Sequence, residues 1–185
     1  MPSRHLYLSS NKPWKSTFTT VEGQVIYKAE SGRTITISRI LQSLNHGNTL
    51  MDSFEHLAEI EYHTFRKSRI RYGGRDQTVN EFFRKQGWGF FGRNRVFTGP
   101  NGREYLWKLG SSACKLFLND SSKAPVAYFH RKKRGILRES RPASLEIFAE
   151  GEHMVDLIVV TFVYMEKYRK ENEQSTQAGA GAGGG

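Results

Sequence analysis

A twelve-residue run near the C-terminus, Met154–Met165, constrains the fold of this chain more than any other segment. Ten of its twelve residues are apolar, and the exceptions are Asp156 and Thr161. On a helix those two lie about 140° apart at 3.6 residues per turn, so no polar stripe exists. A helix that is apolar all round is buried on every side. The run is also too short to cross a bilayer, which takes roughly twenty residues. The chain upstream reads as short strands. The expected fold class is therefore mainly β (α+β): a closed antiparallel β-barrel enclosing a hydrophobic central helix over about residues 152–172. Glu152 and Asp156 suit the start of that helix, where the dipole favours negative charge. After Met165 the pattern turns polar, so the helix is expected to emerge from the core and end near Asn172.

Turn signals such as Glu22-Gly23, Gly73-Gly74 and Gly99-Pro-Asn-Gly102 punctuate the upstream region at short intervals, as in an antiparallel meander. Strand-type runs occupy Gln24–Ala29, Arg33–Leu41, His56–His63, Ser68–Tyr72 and Arg95–Thr98. Others follow at Glu104–Leu109, Ala113–Leu118, Val126–His130 and Ser144–Phe148. Alternation is clean in several of them; Ile35 and Ile37 share one face while Thr34, Thr36 and Ser38 share the other. Thr78–Gln86 departs from this pattern, because Val79, Phe82 and Phe83 fall at helical spacing and predict one or two turns of helix. Residues 1–173 read as a single domain, and the Gly/Ala-rich stretch 174–185 as a disordered tail.

The formal net charge is +10, which points to anionic partners. The charge is concentrated: Arg66 to Arg141 holds nineteen Lys/Arg against five Asp/Glu, while the rest of the chain is net acidic. A single cysteine, Cys114, excludes an internal disulfide and sits in a strand-like run as a buried residue rather than a nucleophile. The N-terminal residues lack the apolar stretch of a signal peptide. An intracellular, cytoplasmic location is expected, with peripheral membrane or nuclear association possible for so basic a chain.

No pattern of catalytic or metal-binding residues stands out. The six histidines are scattered, with no helical i,i+4 pair, and no G-x-S-x-G, H-E-x-x-H or C-x-x-C motif occurs. Neither an enzyme, a cofactor nor a metal site is expected. What stands out instead is basic clusters. Arg66-Lys-Ser-Arg-Ile-Arg-Tyr72 places Arg69 and Arg71 on one strand face, outward, with guanidinium groups free for bidentate phosphate contact. A second cluster, Arg131, Lys132, Lys133 and Arg134, runs from a strand end into a loop. Between them lies an aromatic loop, Trp88, Phe90 and Phe91, flanked by Arg84, Lys85, Arg93 and Arg95. Aromatics framed by cations suit a membrane interface, a protein partner or a base-stacking surface, or they plug one end of the barrel. The expected function is a non-enzymatic module docking on anionic phosphates, phosphoinositide or other anionic lipid headgroups first. The alternatives are a nucleic-acid-binding or a protein-interaction barrel.

Three stretches carry a resemblance: Phe97–Gly110, Arg141–Ile147 and, most specifically, Glu150–Glu166. Together they resemble a fungal family of uncharacterised single-domain proteins bearing a domain-of-unknown-function label. That family is similar to the tubby C-terminal-like group, which includes the plant LURP-one-related proteins and the phospholipid scramblases. The resemblance covers about residues 5–172 and implies a closed barrel threaded by a hydrophobic C-terminal helix. Tubby domains bind phosphoinositides through basic surface residues, but no lipid-binding motif of theirs matches this sequence residue by residue. The scramblase comparison implies less, since the helix is followed by charged residues and no second apolar segment.

Overall fold

In the computed structural model, which describes residues 3–44, 50–64, 66–87, 91–132 and 141–181, the chain forms one thirteen-stranded antiparallel sheet and one long helix. The first strands are β1 (Arg4–Leu8), β2 (Ser16–Thr19), β3 (Val25–Ser31), β4 (Ile35–Leu44), β5 (Leu50–Glu61), β6 (Arg69–Tyr72) and β7 (Arg75–Thr78). One turn of helix, α1 (Val79–Phe82), leads to β8 (Arg84–Gln86), β9 (Asn94–Thr98) and β10 (Glu104–Leu109). Then come β11 (Cys114–Leu118), β12 (Pro125–His130) and β13 (Ala143–Ile147). Sheet neighbours are sequence neighbours, with one exception: β1 pairs with β13, its Leu6 opposite Leu145. Turn chemistry sets these pairings. Gly73 and Gly74, at φ +57° and +74°, form the two-residue link between β6 and β7, and a tight hairpin of that length favours positive φ at both positions.

A short 3₁₀ helix at Ala149–Met154 leads into α2 (Val155–Gly181). Every residue from Ile158 to Val163 is fully buried. Six consecutive helical residues point in all directions, so protein surrounds α2 there. Phe162 meets Phe18 of β2, Trp107 of β10 and Phe129 of β12, with ring centroids 6.3, 6.2 and 4.9 Å away. Tyr164 meets Tyr62, just past β5, and Phe83, just past α1. Strands far apart in the sheet thus converge on one helix. The two polar exceptions of the apolar run are both satisfied. Thr161 accepts from the Trp107 indole at 3.1 Å, and Asp156 accepts from the Tyr27 hydroxyl at 2.6 Å and pairs with Arg39.

Three expectations need correction. The hydrogen-bonded ladder does not close: β7 and β8 are its two edges, joined through α1. The Thr78 side chain caps α1 and Glu81 reaches back to the Thr78 backbone, a capping box that turns the chain into a helix where a ladder would have to continue. Both edges are short and polar, which disfavours further pairing. What is observed is one wrapped sheet whose edges, β7 and β8, are not joined by ladder hydrogen bonds. Second, α2 emerges only gradually after Met165: Lys167, Tyr168 and Lys170 are half-buried and full exposure begins at residue 174, while one charged pair stays inside. Glu166 and Arg169 are 1% and 0% exposed, joined by hydrogen bonds of 2.8–3.0 Å. The Cys114 backbone N–H donates to the same carboxylate, and Arg169 donates to the Ser111 carbonyl. Third, α2 runs past Asn172 to Gly181, so residues 174–181 of the expected disordered tail are helical. Lys167–Glu171 and Lys170–Glu173 pairs at 2.9 and 2.7 Å favour the helix just before that extension.

Candidate anion-binding site

The expected phosphate ligands are dispersed by the fold. Arg69 and Arg71 do point outward from β6, but their guanidinium groups are not free. Arg69 pairs with Asp76 at 2.9 Å, and Arg71 contacts Glu59, Glu61 and Asp76 at 2.8, 2.5 and 3.3 Å. Register explains this: Arg71 sits opposite Glu59 on β5 and Asp76 on β7, so cross-strand carboxylates flank it on both sides. Hydrogen bonds and nearby carboxylates raise both arginine pKa values, and the same contacts hold Asp76 below its ordinary value. Arg131 is half-buried beside Glu166, 4.0 Å away, and Lys132 is exposed next to Asn11, which accepts its backbone N–H. Lys133 and Arg134 lie outside the described residues, as do Trp88 and Phe90. Phe91 is partly buried and packs against the core.

Cations converge elsewhere, around a cavity of about 530 Å³ where α2 leaves the sheet. Arg66 and Lys67 reach it from the segment between β5 and β6, Lys85 from β8 and Arg95 from β9. Tyr164, Tyr168, Glu171 and Ser175 of α2 form the facing wall, and at 3.6 residues per turn these share one flank of the helix. Glu166, Arg169 and Glu173 share the opposite flank, and Arg131 lies on that side. The two basic groups are thus divided by the helix.

Arg95 is the unusual member. It is 4% exposed, and its Nε and Nη1 have no hydrogen-bond partner. Among the described residues no carboxylate lies within ion-pair distance of it, nor of Arg66, Lys67 or Lys85. Its guanidinium instead rests over the Tyr168 ring, 4.9 Å from the centroid, and that ring is parallel to Tyr164 within 7°. The cavity's one carboxylate, Glu171, is held by Lys167 at 2.9 Å. Burial pushes the Tyr164 phenol up to about 12 even though the Arg95 charge pulls the other way. Gly92 closes over the same ring: a Cβ there would fall 2.7 Å from Tyr168 Cε1, and its φ of +107° is one that other residues rarely adopt.

A larger cavity, about 1090 Å³, opens at the other end of α2. Its arginines are mostly matched by carboxylates. Arg4 binds Glu152 at 2.7 Å, and Arg39 binds both Asp156 and Glu55. Its floor is apolar, with Phe82, Phe97 and Leu157. Neutralised charge over an apolar floor attracts phosphate far less than the unmatched cations at the opposite end. No group of three or more His, Cys, Asp or Glu able to hold a metal ion occurs among the described residues.

A family model matches residues 11–171, nearly the whole folded unit. The chain belongs to DUF6593, a family of unknown function. No curated protein and no solved structure matches this DUF6593 chain. Among its described residues, no helix is long and apolar enough to cross a membrane.

In the sequence of this DUF6593 member Arg95 reads only as a flank of the aromatic loop. A signal for its true position was present. Phe97 is an inward residue of β9, and a period of two puts Arg95 on the same inward face. Arg66 and Lys67 were visible as part of a basic run, but nothing in their spacing showed that they would face β8 and β9 across the seam.

Proposed function

We propose that this protein is a non-enzymatic binding module that docks on anionic phosphates, with anionic lipid headgroups as their source. The carrying observation is the convergence of Arg66, Lys67, Lys85 and Arg95 on one cavity that holds a single, already neutralised carboxylate. Burying a charge without a partner is unfavourable, so an arrangement of this kind favours an incoming anion. Rim lysines and arginines near an anionic membrane add about 1 kcal/mol each. The buried helix within a wrapped sheet supports reading the fold as a barrel of the tubby type, in which the seam between β7 and β8 gives the cavity its mouth. Arg131 and Lys132 supply further positive charge on the other flank of α2; Arg69 and Arg71, being neutralised by carboxylates, add little.

The test is a side-by-side binding screen of the full chain against phosphatidylserine vesicles, phosphoinositide vesicles and single-stranded RNA across a salt series. Vesicle binding with little RNA binding at physiological salt is expected. Preferential RNA binding would replace this reading with a nucleic-acid one. Binding to none of them would leave a protein-interaction role.

A further inference from the structure

We infer that the cavity is built for a phosphate monoester, with Arg95 as its internal anchor, and that it is closed to the phosphodiester backbone of a nucleic acid. This rests on the phosphate-docking reading and goes beyond it, since surface charge alone would accept either. Depth decides the matter. Arg95 is 4% exposed and belongs to an inward-facing row of β9, so a ligand must enter the cavity to reach its charge. A monoester ends a molecule: three of its oxygens project freely, and it carries close to two negative charges at neutral pH. A backbone diester is substituted on two sides and carries one charge, and its flanking sugars keep it at the rim.

The cavity also has room for more than an ion. At about 530 Å³ it falls within the usual range for small-molecule sites. Asn80, Asn172 and His63 on its walls offer hydrogen bonds to a polar body, while Lys85 sits beside Arg95 on the adjoining strand, directly opposite it in register. The Tyr168 ring under the guanidinium fixes the arginine in place before any ligand arrives. Such an anchor differs from the rim cations in one measurable respect: it is shielded from salt, whereas exposed charges are screened.

The experiment titrates the full chain with glycerol 3-phosphate and, as the diester control, the dinucleoside monophosphate thymidylyl-thymidine, followed by phosphorus NMR and thermal shift. The wild-type protein is expected to bind the monoester, to ignore the diester, and to keep binding at about 0.5 M salt, where the screening length is roughly 4 Å. Arg95→Met is expected to weaken monoester binding at least about tenfold, the loss that one charged hydrogen bond entails. Equal binding of the diester, or Arg95→Met binding within twofold of wild type, overturns the inference. Should Arg95→Met fail to fold, the wild-type salt series decides: binding that disappears at high salt overturns it. If vesicles bind but glycerol 3-phosphate does not, only this inference fails. If neither binds, the phosphate-docking reading fails with it.

Discussion

Trp107 donates its indole N–H to Thr161 at 3.1 Å, and the Thr161 hydroxyl donates in turn to the Leu157 carbonyl at 2.8 Å. Both side chains are fully buried. One threonine thus satisfies the indole of β10 from a helix with no exposed face. Thr161→Val keeps the shape and leaves the Trp107 N–H without a partner. A loss of about 1–3 kcal/mol is expected, measured by urea unfolding, together with a shift in tryptophan fluorescence.

Val160 is fully buried in the middle of the same run. Val160→Asp places an unpaired charge there at a cost of several kcal/mol, against a typical stability of about 5–15 kcal/mol. Loss of the near-ultraviolet circular dichroism signal at room temperature is the expected outcome.

Glu166 and Arg169 test a different kind of burial. Arg169→Met strands the Glu166 carboxylate, and a loss of about 3–5 kcal/mol is expected. The double variant Glu166→Gln/Arg169→Met removes both charges and is expected to recover part of that loss. A double variant as unstable as the sum of the singles would show that the two residues act independently.

Stability should also respond to acid through Asp120. The Ser122 hydroxyl and then the Arg103 guanidinium bind its carboxylate and hold it at about 2, against an ordinary 3.8. A depressed folded-state value means the contribution is present above pH 3.8 and is lost as pH falls toward 2. Melting curves of wild type and Asp120→Asn should therefore differ at pH 5 and converge near pH 2.

Much of the fold was legible because it is written in periodicity. Each expected strand run overlaps an observed strand, and the apolar run Met154–Met165 supplies most of the buried residues of α2. β1 and β2 precede the first expected run, and β7 and β8, reading Arg-Asp-Gln-Thr and Arg-Lys-Gln, were not legible either, since their polar sequences carry no inward apolar signal and pairing alone makes them strands. Glu166 and Arg169 misled for the opposite reason. A charged i,i+3 pair ordinarily marks a wet helix face, and only the position of Cys114 at the start of β11 and of Ser111 in the turn before it reveals it as an internal one. The candidate site was half legible. Its residues lay in the basic middle of the chain, but Arg69 and Arg71 looked free because their carboxylate partners come from β5 and β7, a matter of register that sequence spacing does not state.

The most direct test of the account compares two charge-neutralised proteins on the same phosphoinositide vesicles. One carries Arg66→Gln, Lys67→Gln and Lys85→Gln at the cavity; the other carries Arg69→Gln and Arg71→Gln on the outer face of β6. Loss of vesicle binding in the cavity variant, with near-wild-type binding in the β6 variant, is the predicted result. Binding that survives in the cavity variant and vanishes in the β6 variant would contradict the account, placing the phosphate-binding surface on the paired arginines.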